Sequence, residues 1–118
     1  MTTRFIREGK TFNHQSSVAV ASGDVVVEGA LAGVATDPIE ADGTGTVAIS
    51  GVFALPADEA TAFGLGANLA WDVSAEKLIL NSSAAAGDVE NFGKAVEAKE
   101  AATGEADVLL TPEVQAIK

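Results

Sequence analysis

Short runs in which apolar and polar residues alternate recur along the chain, and turn-forming residues separate them. Alternation with a period of two is typical of strands that bury one face, and frequent turn signals are typical of small all-β domains. The runs that predict strands are residues 4–7, 10–14, 17–21, 25–27, 31–36, 46–55, 68–72, 77–80 and, as the final strand, 107–110. We therefore predict a mainly β protein, a small single-domain β-barrel or sandwich with short strands and at most one or two short helical turns.

The longest run contains a glycine that interrupts its alternation. Val47 and Ile49 have the same parity as Phe53 and Leu55, and Gly51 stands between them. A glycine inside a good strand pattern indicates a bulge, a bend or a close approach of another backbone. We expect a strand pair whose sheet bends at Gly51, with Phe53 and Leu55 in the core.

The second half of the chain contains three further patterns. Residues 56–63 begin with proline and acidic residues, which favours one or two helical turns. Residues 68–72 and 77–80 predict a hairpin, and its first strand holds Trp71, the only tryptophan, which we place in the core. Residues 91–102 are ambiguous, because alanine, glutamate and lysine favour a helix while the glycine and valine fit a strand.

Charge is distributed unevenly along the 118 residues, whose formal net charge is −10. The first ten residues carry Arg4, Arg7 and Lys10 against Glu8, a net charge of +2, so the rest of the chain carries −12. An acidic body repels phosphate backbones, and we therefore predict no nucleic-acid binding. The absence of cysteine excludes disulfides and thiolate metal sites.

The sequence offers little for catalysis or metal binding. Its one histidine, His14, has no candidate partner for acid–base work, and no serine stands in a nucleophile elbow. Asp37, Glu40 and Asp42 precede a glycine but miss the alternating spacing of a calcium loop. We predict no enzyme activity, no cofactor and no metal, and no membrane span, since no stretch approaches ~18 apolar residues.

One lysine keeps an alternative function open. Small β-sandwiches that carry biotin or lipoate present a modified lysine at the tip of a tight hairpin, and Lys99 lies in the stretch VEAKEA near the end of the chain. Its flanks do not form two matched strands about a short turn, so this pattern is weak. A small β-sandwich binding or carrier module is nevertheless the alternative to the function described next.

The order of the segments carries a resemblance that no single motif carries alone. The stretches TVAISGVFALP, AFGLGANLAWD, AEKLIL, NFGKAVEA and ADVLL follow RFIREGKTF and SGDVVVEGALAGVA. In this order they resemble the capsid decoration, or cement, proteins of phages and prophages, a family first grouped as a domain of unknown function. The resemblance covers about residues 4–110.

This resemblance implies a structural virion protein and not an enzyme. Such a protein is made in the cytoplasm of the bacterial host and assembles as a homotrimer on the outer surface of an icosahedral head. There it binds the major capsid protein and bridges neighbouring subunits. In such a homotrimer Phe53, Leu55 and Trp71 would belong either to the core or to the trimer interface.

The basic start of the chain then becomes a candidate capsid contact. We divide the chain into a capsid-binding segment, residues 1–12, and a β-rich decoration domain, residues 13–118. The alternative is that residues 1–12 form an internal first strand. Arginine and lysine would pair with capsid carboxylates, phenylalanines would be buried anchors, and backbone pairing would add an edge strand. The candidate contacts are Arg4, Phe5, Arg7, Lys10 and Phe12.

Overall fold

The computed structural model describes residues 10–118, in which short strands and two 3-10 helices follow one another. The elements are β1 (Thr11–Gln15), β2 (Val25–Glu28), β3 (Leu31–Ala35), β4 (Thr44–Ala48), β5 (Val52–Pro56), β6 (Asn68–Asp72), β7 (Lys77–Leu80), η1 (Asn81–Ser83), β8 (Val89–Ala95), β9 (Glu105–Leu110), η2 (Pro112–Val114) and β10 (Ala116–Ile117). The strand predicted at residues 4–7 lies outside the described residues. The prediction of a mainly β protein with short strands is confirmed.

The strands form two antiparallel sheets that pack as a sandwich. The four-stranded sheet has the order β1-β4-β3-β2, and the six-stranded sheet has the order β5-β9-β8-β6-β7, with β10 paired to β8. Of the two architectures that we predicted, the sandwich is confirmed, because the described sheets do not close into a barrel. The hairpin of β6 and β7 is confirmed in register, with Trp71 opposite Leu78.

The space between the sheets is filled by large apolar side chains, which we call the major core. The four-stranded sheet contributes Ala32 and Val34 from β3, and the six-stranded sheet contributes most of the volume. Trp71 and Phe92 lie side by side there, with ring centroids 5.6 Å apart. The fully buried large side chains of this core are Phe63, Phe92, Leu69, Leu78, Val89 and Val108.

The opposite face of the four-stranded sheet covers a second, smaller cluster, which we call the minor core. It consists of Val26, Ala35, Ile39 and Val47, with Phe12 and Val20 packed against it. Alternate residues of β3 therefore face different cores, as a period of two requires.

The four-stranded sheet curls around the minor core. His14 Nδ1 on β1 lies 3.1 Å from Glu28 Oε2 on β2, although β1 and β2 are the two edges of the sheet. In a flat sheet the edges would be about 14 Å apart, three spacings of roughly 4.8 Å. Curling brings the two edges together.

The bend at Gly51 is present, but it connects two sheets instead of bending one. The chain leaves β4 in the four-stranded sheet and enters β5 in the six-stranded sheet, and Gly51 lies between them with φ +118°. The expectation of a strand pair is wrong, because β4 pairs with β1 and β3 while β5 pairs with β9. Val47 consequently lies in the minor core and Leu55 in the major core.

Three further expectations are wrong. Residues 56–63 form no helical turn, because Asp58 accepts hydrogen bonds from the Ala60 N–H and the Thr61 hydroxyl. Side chains that bond the local backbone in this way compete with helix formation. Residues 17–21 form a loop with an isolated bridge from Val20 to Ile39, and β9 is not the final strand because β10 follows it.

Candidate functional site

The N-terminal candidates lie at the start of an edge strand. Arg4, Phe5 and Arg7 are outside the described residues. Lys10 is exposed, and its carbonyl accepts a hydrogen bond of 2.9 Å from the Ile49 N–H. Lys10, the last basic residue of the segment, thus directly precedes β1, at one edge of the four-stranded sheet.

Phe12 has a packing role within the fold. It is half-buried against the minor core and lies opposite Val47 in the pairing of β1 with β4. Its ring meets the edge of the His14 ring at a centroid distance of 6.4 Å. The boundary that we predicted between residues 12 and 13 therefore falls inside β1.

The candidates for a core or trimer contact lie in or against the major core. Leu55 is 2% exposed and Trp71 is 5% exposed, and Phe53 is half-buried against the same cluster. Alternation along β5 places Phe53 and Leu55 on the inner face. Trimer formation remains a prediction, and Leu55 and Trp71 have little surface to offer to it.

Sequence reasoning missed a cleft of about 430 Å³ at one side of the sandwich. β2 and the loop before it form one wall, and the start of the β6–β7 turn forms the other. The larger apolar side chains of the lining include Val18, Val20, Val25, Val27, Trp71 and Val73, and the acidic residues Asp24 and Glu76 also line it. We call this feature the inter-sheet cleft.

The cleft exposes apolar side chains that the sequence gives no reason to group. Val18, Val27 and Val73 are 65%, 36% and 41% exposed, although they come from three separate segments of the chain. Exposed valines scattered singly are normal on proteins, whereas three that line one cleft indicate a contact surface. In the sequence, the valine run at residues 25–27 predicted a strand but gave no indication of a cleft.

The turn beside the cleft is fixed by a carboxylate. Asp72 Oδ1 accepts hydrogen bonds from the Ser74 N–H, the Ser74 hydroxyl and the Ala75 N–H at 2.9–3.0 Å. These bonds, from the Ala75 N–H first and the Ser74 hydroxyl next, lower the pKa of Asp72 below its ordinary value of 3.8. The cleft wall that bears Val73 is thus held by an ionised side chain.

Lys99 is buried and is not displayed at a hairpin tip. The residue is only 6% exposed. Its Nζ donates hydrogen bonds to the carbonyls of Thr61 at 2.5 Å and Glu100 at 3.2 Å. Nζ also lies 5.0 Å from the centroid of the Phe63 ring. A lysine held in this way is not accessible for attachment of a carrier group.

The remaining chemistry is sparse. His14 lies beside Glu28 as described above, at the edge of a sheet and outside the inter-sheet cleft. Among residues 10–118 no group of three or more acidic or histidine side chains is placed to hold a metal ion. None of the helices in this part of the chain has the length and apolar character needed to cross a membrane.

Comparison with protein families finds a match over most of the chain. A family model described as phage cement protein matches residues 6–110, which is most of the chain. Searches of curated proteins and of solved structures found no match. The matched range includes every strand from β1 to β9 and both walls of the inter-sheet cleft.

Proposed function

This chain belongs to the phage cement protein family, and we propose that it binds the outside of an icosahedral phage head and bridges neighbouring major capsid protein subunits. Membership implies a structural role associated with the phage capsid and a location in the virion. The family is structural and not enzymatic. The observation that carries the proposal is the match over residues 6–110, which includes every described strand of the sandwich except β10.

The fold supports a binding role in a simple way. A sandwich with a continuous apolar core is rigid, and its exposed strand edges and clefts are suited to contacts with other chains. The buried Lys99 removes the main support for the alternative carrier function. We propose further that the protein is made in the host cytoplasm, encoded by a phage or prophage, and acts as a homotrimer on the head.

We also propose that residues 1–12 grip the capsid. Arg4, Arg7 and Lys10 would pair with carboxylates of the major capsid protein, and Phe5 would be the buried anchor beside Phe12. Two facts support this proposal. The segment is the only part of the chain with a positive net charge of this size, and it leads into an edge strand.

Cosedimentation with expanded heads tests the function. The heads are assembled from the major capsid protein that is encoded nearest this gene, and the bound protein is measured against its free concentration. We expect saturable binding at three copies for each threefold or quasi-threefold position, and greater resistance of the decorated heads to heat. Absence of binding to correctly assembled heads would refute the proposed function.

A charge reversal tests the grip separately. The double variant Arg4→Glu, Arg7→Glu should weaken binding to heads by at least about tenfold if both pairs are made. The control is Lys94→Glu, Lys118→Glu, which changes the net charge equally at two exposed positions of the body. If both double variants bind with the same affinity, the N-terminal segment is not the grip.

A further inference from the structure

The inter-sheet cleft combines an apolar lining with acidic residues, and no basic side chain among residues 10–118 lines it. Val27 and Val73 face it from opposite walls, and Trp71 lies at its base, almost fully buried. Asp24 and Glu76 are the charged residues that line it, and both are exposed. A complementary ligand therefore has apolar side chains next to Lys or Arg.

The strand beside the cleft determines which side chains a ligand meets. β2 forms one wall of the cleft and pairs with β3 alone among the described strands. Its second edge turns towards β1 where the sheet curls, since Glu28 Oε2 lies 3.1 Å from His14 Nδ1, so a bound segment is held in the cleft by side-chain contacts. Val26 points into the minor core, so Val25 and Val27 are the β2 side chains that such a segment would meet.

A bridging protein needs two different contact surfaces, and the charges of this chain provide two. The N-terminal segment is basic and is followed in the chain by β1, whereas acidic residues line the cleft, which lies beside β2. Surfaces of opposite charge do not select the same patch of a partner. Each can therefore hold a different part of the capsid lattice.

We propose that the inter-sheet cleft binds an extended segment of the major capsid protein in which Lys or Arg stands beside apolar residues. This inference rests on the proposed function and extends it, since it supplies the second contact that bridging requires. The apolar residues of the segment fill the space above Trp71, between Val27 and Val73. Its basic residues meet Asp24 and Glu76.

Substitutions at exposed positions test the cleft with little risk to the fold. The double variant Val27→Asp, Val73→Asp places charge on both walls, and Glu76→Lys reverses a charge at the rim. We expect each to reduce affinity for expanded heads, by at least about tenfold for the double variant and about threefold for Glu76→Lys. The matched controls are Leu65→Asp, at a residue 73% exposed, and Glu113→Lys, exposed on η2; neither lines the cleft.

The outcomes separate this inference from the function on which it rests. If wild-type protein and cleft variants bind heads equally, the cleft is not a capsid contact, while the proposed function stands. If the wild type does not bind heads, both fail. Circular dichroism establishes that each variant is folded, and Glu76→Lys alone still tests the rim if the double variant is unfolded.

The single tryptophan gives a second readout that needs no head. Synthetic peptides without tryptophan that together cover the major capsid protein are titrated against this protein, and the emission of Trp71 is recorded. We expect a saturable change with a peptide that has Lys or Arg beside apolar residues, and its loss in Val27→Asp, Val73→Asp. If instead only a peptide of residues 2–10 of this chain produces the change, the cleft binds a second copy and the inference is wrong.

Discussion

The two faces of the four-stranded sheet bury very different side chains. One face closes the major core together with the six-stranded sheet, where Phe63, Phe92 and Trp71 are buried. The other face covers the minor core. Its buried residues are Val26, Ala35, Ile39 and Val47, and none of these four is aromatic. The major core should therefore contribute more to stability than the minor core. We call the side of the four-stranded sheet that faces the major core the strong side, and the side that faces the minor core the weak side.

Stability and the proposed binding surfaces are separated only in part. Apolar area removed from water contributes roughly 25 cal/mol per Å², so the larger side chains of the major core supply most of the stabilisation. The edge strands β1 and β2 belong to the sheet that covers the minor core; β1 follows the basic segment and β2 forms one wall of the inter-sheet cleft. The other wall of the cleft, with Trp71 and Val73, belongs to the six-stranded side. Regions of lower local stability adapt more readily to a partner.

The largest effect on the free energy of unfolding is expected from removal of one ring of the pair Trp71 and Phe92. Trp71→Ala deletes a ring that packs on Phe92 and should lower the free energy of unfolding by about 3–5 kcal/mol. In the minor core, Ile39→Val should lower it by about 0.5–1.5 kcal/mol. Urea unfolding followed by circular dichroism measures both, and Trp71→Phe is the control that keeps an aromatic ring.

Equal losses for the two substitutions would contradict the division into a strong and a weak side. A different result would change the place of Trp71. If Trp71→Ala leaves the free energy of unfolding unchanged but dissociates an oligomer in sedimentation velocity, the ring belongs to a subunit interface.

Two glycines allow the two sheets to be compared by how closely their neighbouring strands approach each other. A Cβ at Gly33 would collide with the carbonyl oxygen of Ala48, and a Cβ at Gly93 would lie 2.5 Å from the carbonyl oxygen of Leu109. Real side chains do not approach backbone so closely, so Gly33→Ala and Gly93→Ala should each lower the free energy of unfolding by about 1–3 kcal/mol. Chemical denaturation of both variants measures this.

Gly64→Ala is the matched control, because no atom lies within 4 Å of a Cβ at that position. It should change the free energy of unfolding by less than about 0.5 kcal/mol. A loss for Gly93→Ala but none for Gly33→Ala would mean that the four-stranded sheet shifts to accept the methyl group. The weak side would then be weak in its strand pairing as well as in its core.

One side chain joins the two sheets by hydrogen bonds. Gln115 accepts a bond of 2.9 Å from the Ala32 N–H on β3, and it donates to the carbonyls of Ala32 and Phe92 at 3.2 Å. Gln115→Met keeps the length of the side chain but leaves these part-buried groups without their partner. We expect a loss of about 1–2 kcal/mol, measured by urea unfolding.

Hydrogen exchange distinguishes a local effect from a general one. The Ala32 amide should exchange faster in Gln115→Met than in wild type, whereas in Glu113→Gln, an exposed neighbour, it should not. Unchanged protection of the Ala32 amide would show that Gln115 does not link the sheets.

The sequence predicted those features that depend on neighbouring residues. The β6–β7 hairpin was predicted with its bounds because alternation and the turn between them are local, and Asp72 closes that turn with its own side chain. The partners of β4 and β5 could not be predicted, because the choice between two sheets depends on strands as distant as β9. The predicted helical turns after Pro56 are absent because Asp58 accepts two hydrogen bonds from residues close to it in the chain, which helix propensity does not take into account.

The candidate surfaces divide in the same way. The basic segment was visible as a cluster of charges in ten residues, whereas the inter-sheet cleft joins Val18, Val27 and Val73, which only the fold brings together. Lys99 showed the opposite problem. The sequence left open a modified lysine at this position, and the structure buries Lys99 beside the Thr61 carbonyl and the Phe63 ring.

The smallest expected effect is a loss of stability in acid. It should arise from two aspartates at or just past the ends of strands of the six-stranded sheet. The pKa values of Asp58 and Asp72 are both lowered from 3.8, mainly by backbone N–H groups of Ala60 and Ala75. A lowered pKa means that folding favours the ionised form. The contribution is therefore complete above about pH 4 and is lost as the pH falls through the lowered pKa values.

Asp72→Ala removes one of these groups, and its effect should depend on pH in a defined way. Near neutral pH the variant should melt at a lower temperature than wild type, because the turn that bears Val73 loses its hydrogen bonds from Ser74 and Ala75. As the pH falls through the lowered pKa of Asp72, the carboxyl of wild type becomes protonated, so the two melting temperatures should converge. Thermal melts between pH 7 and pH 2.5 measure the difference, with Asp37→Ala in a separate exposed loop as the control. A difference that stays constant over this range would mean that the ionised form of Asp72 contributes nothing, and that acid does not act preferentially on the six-stranded side.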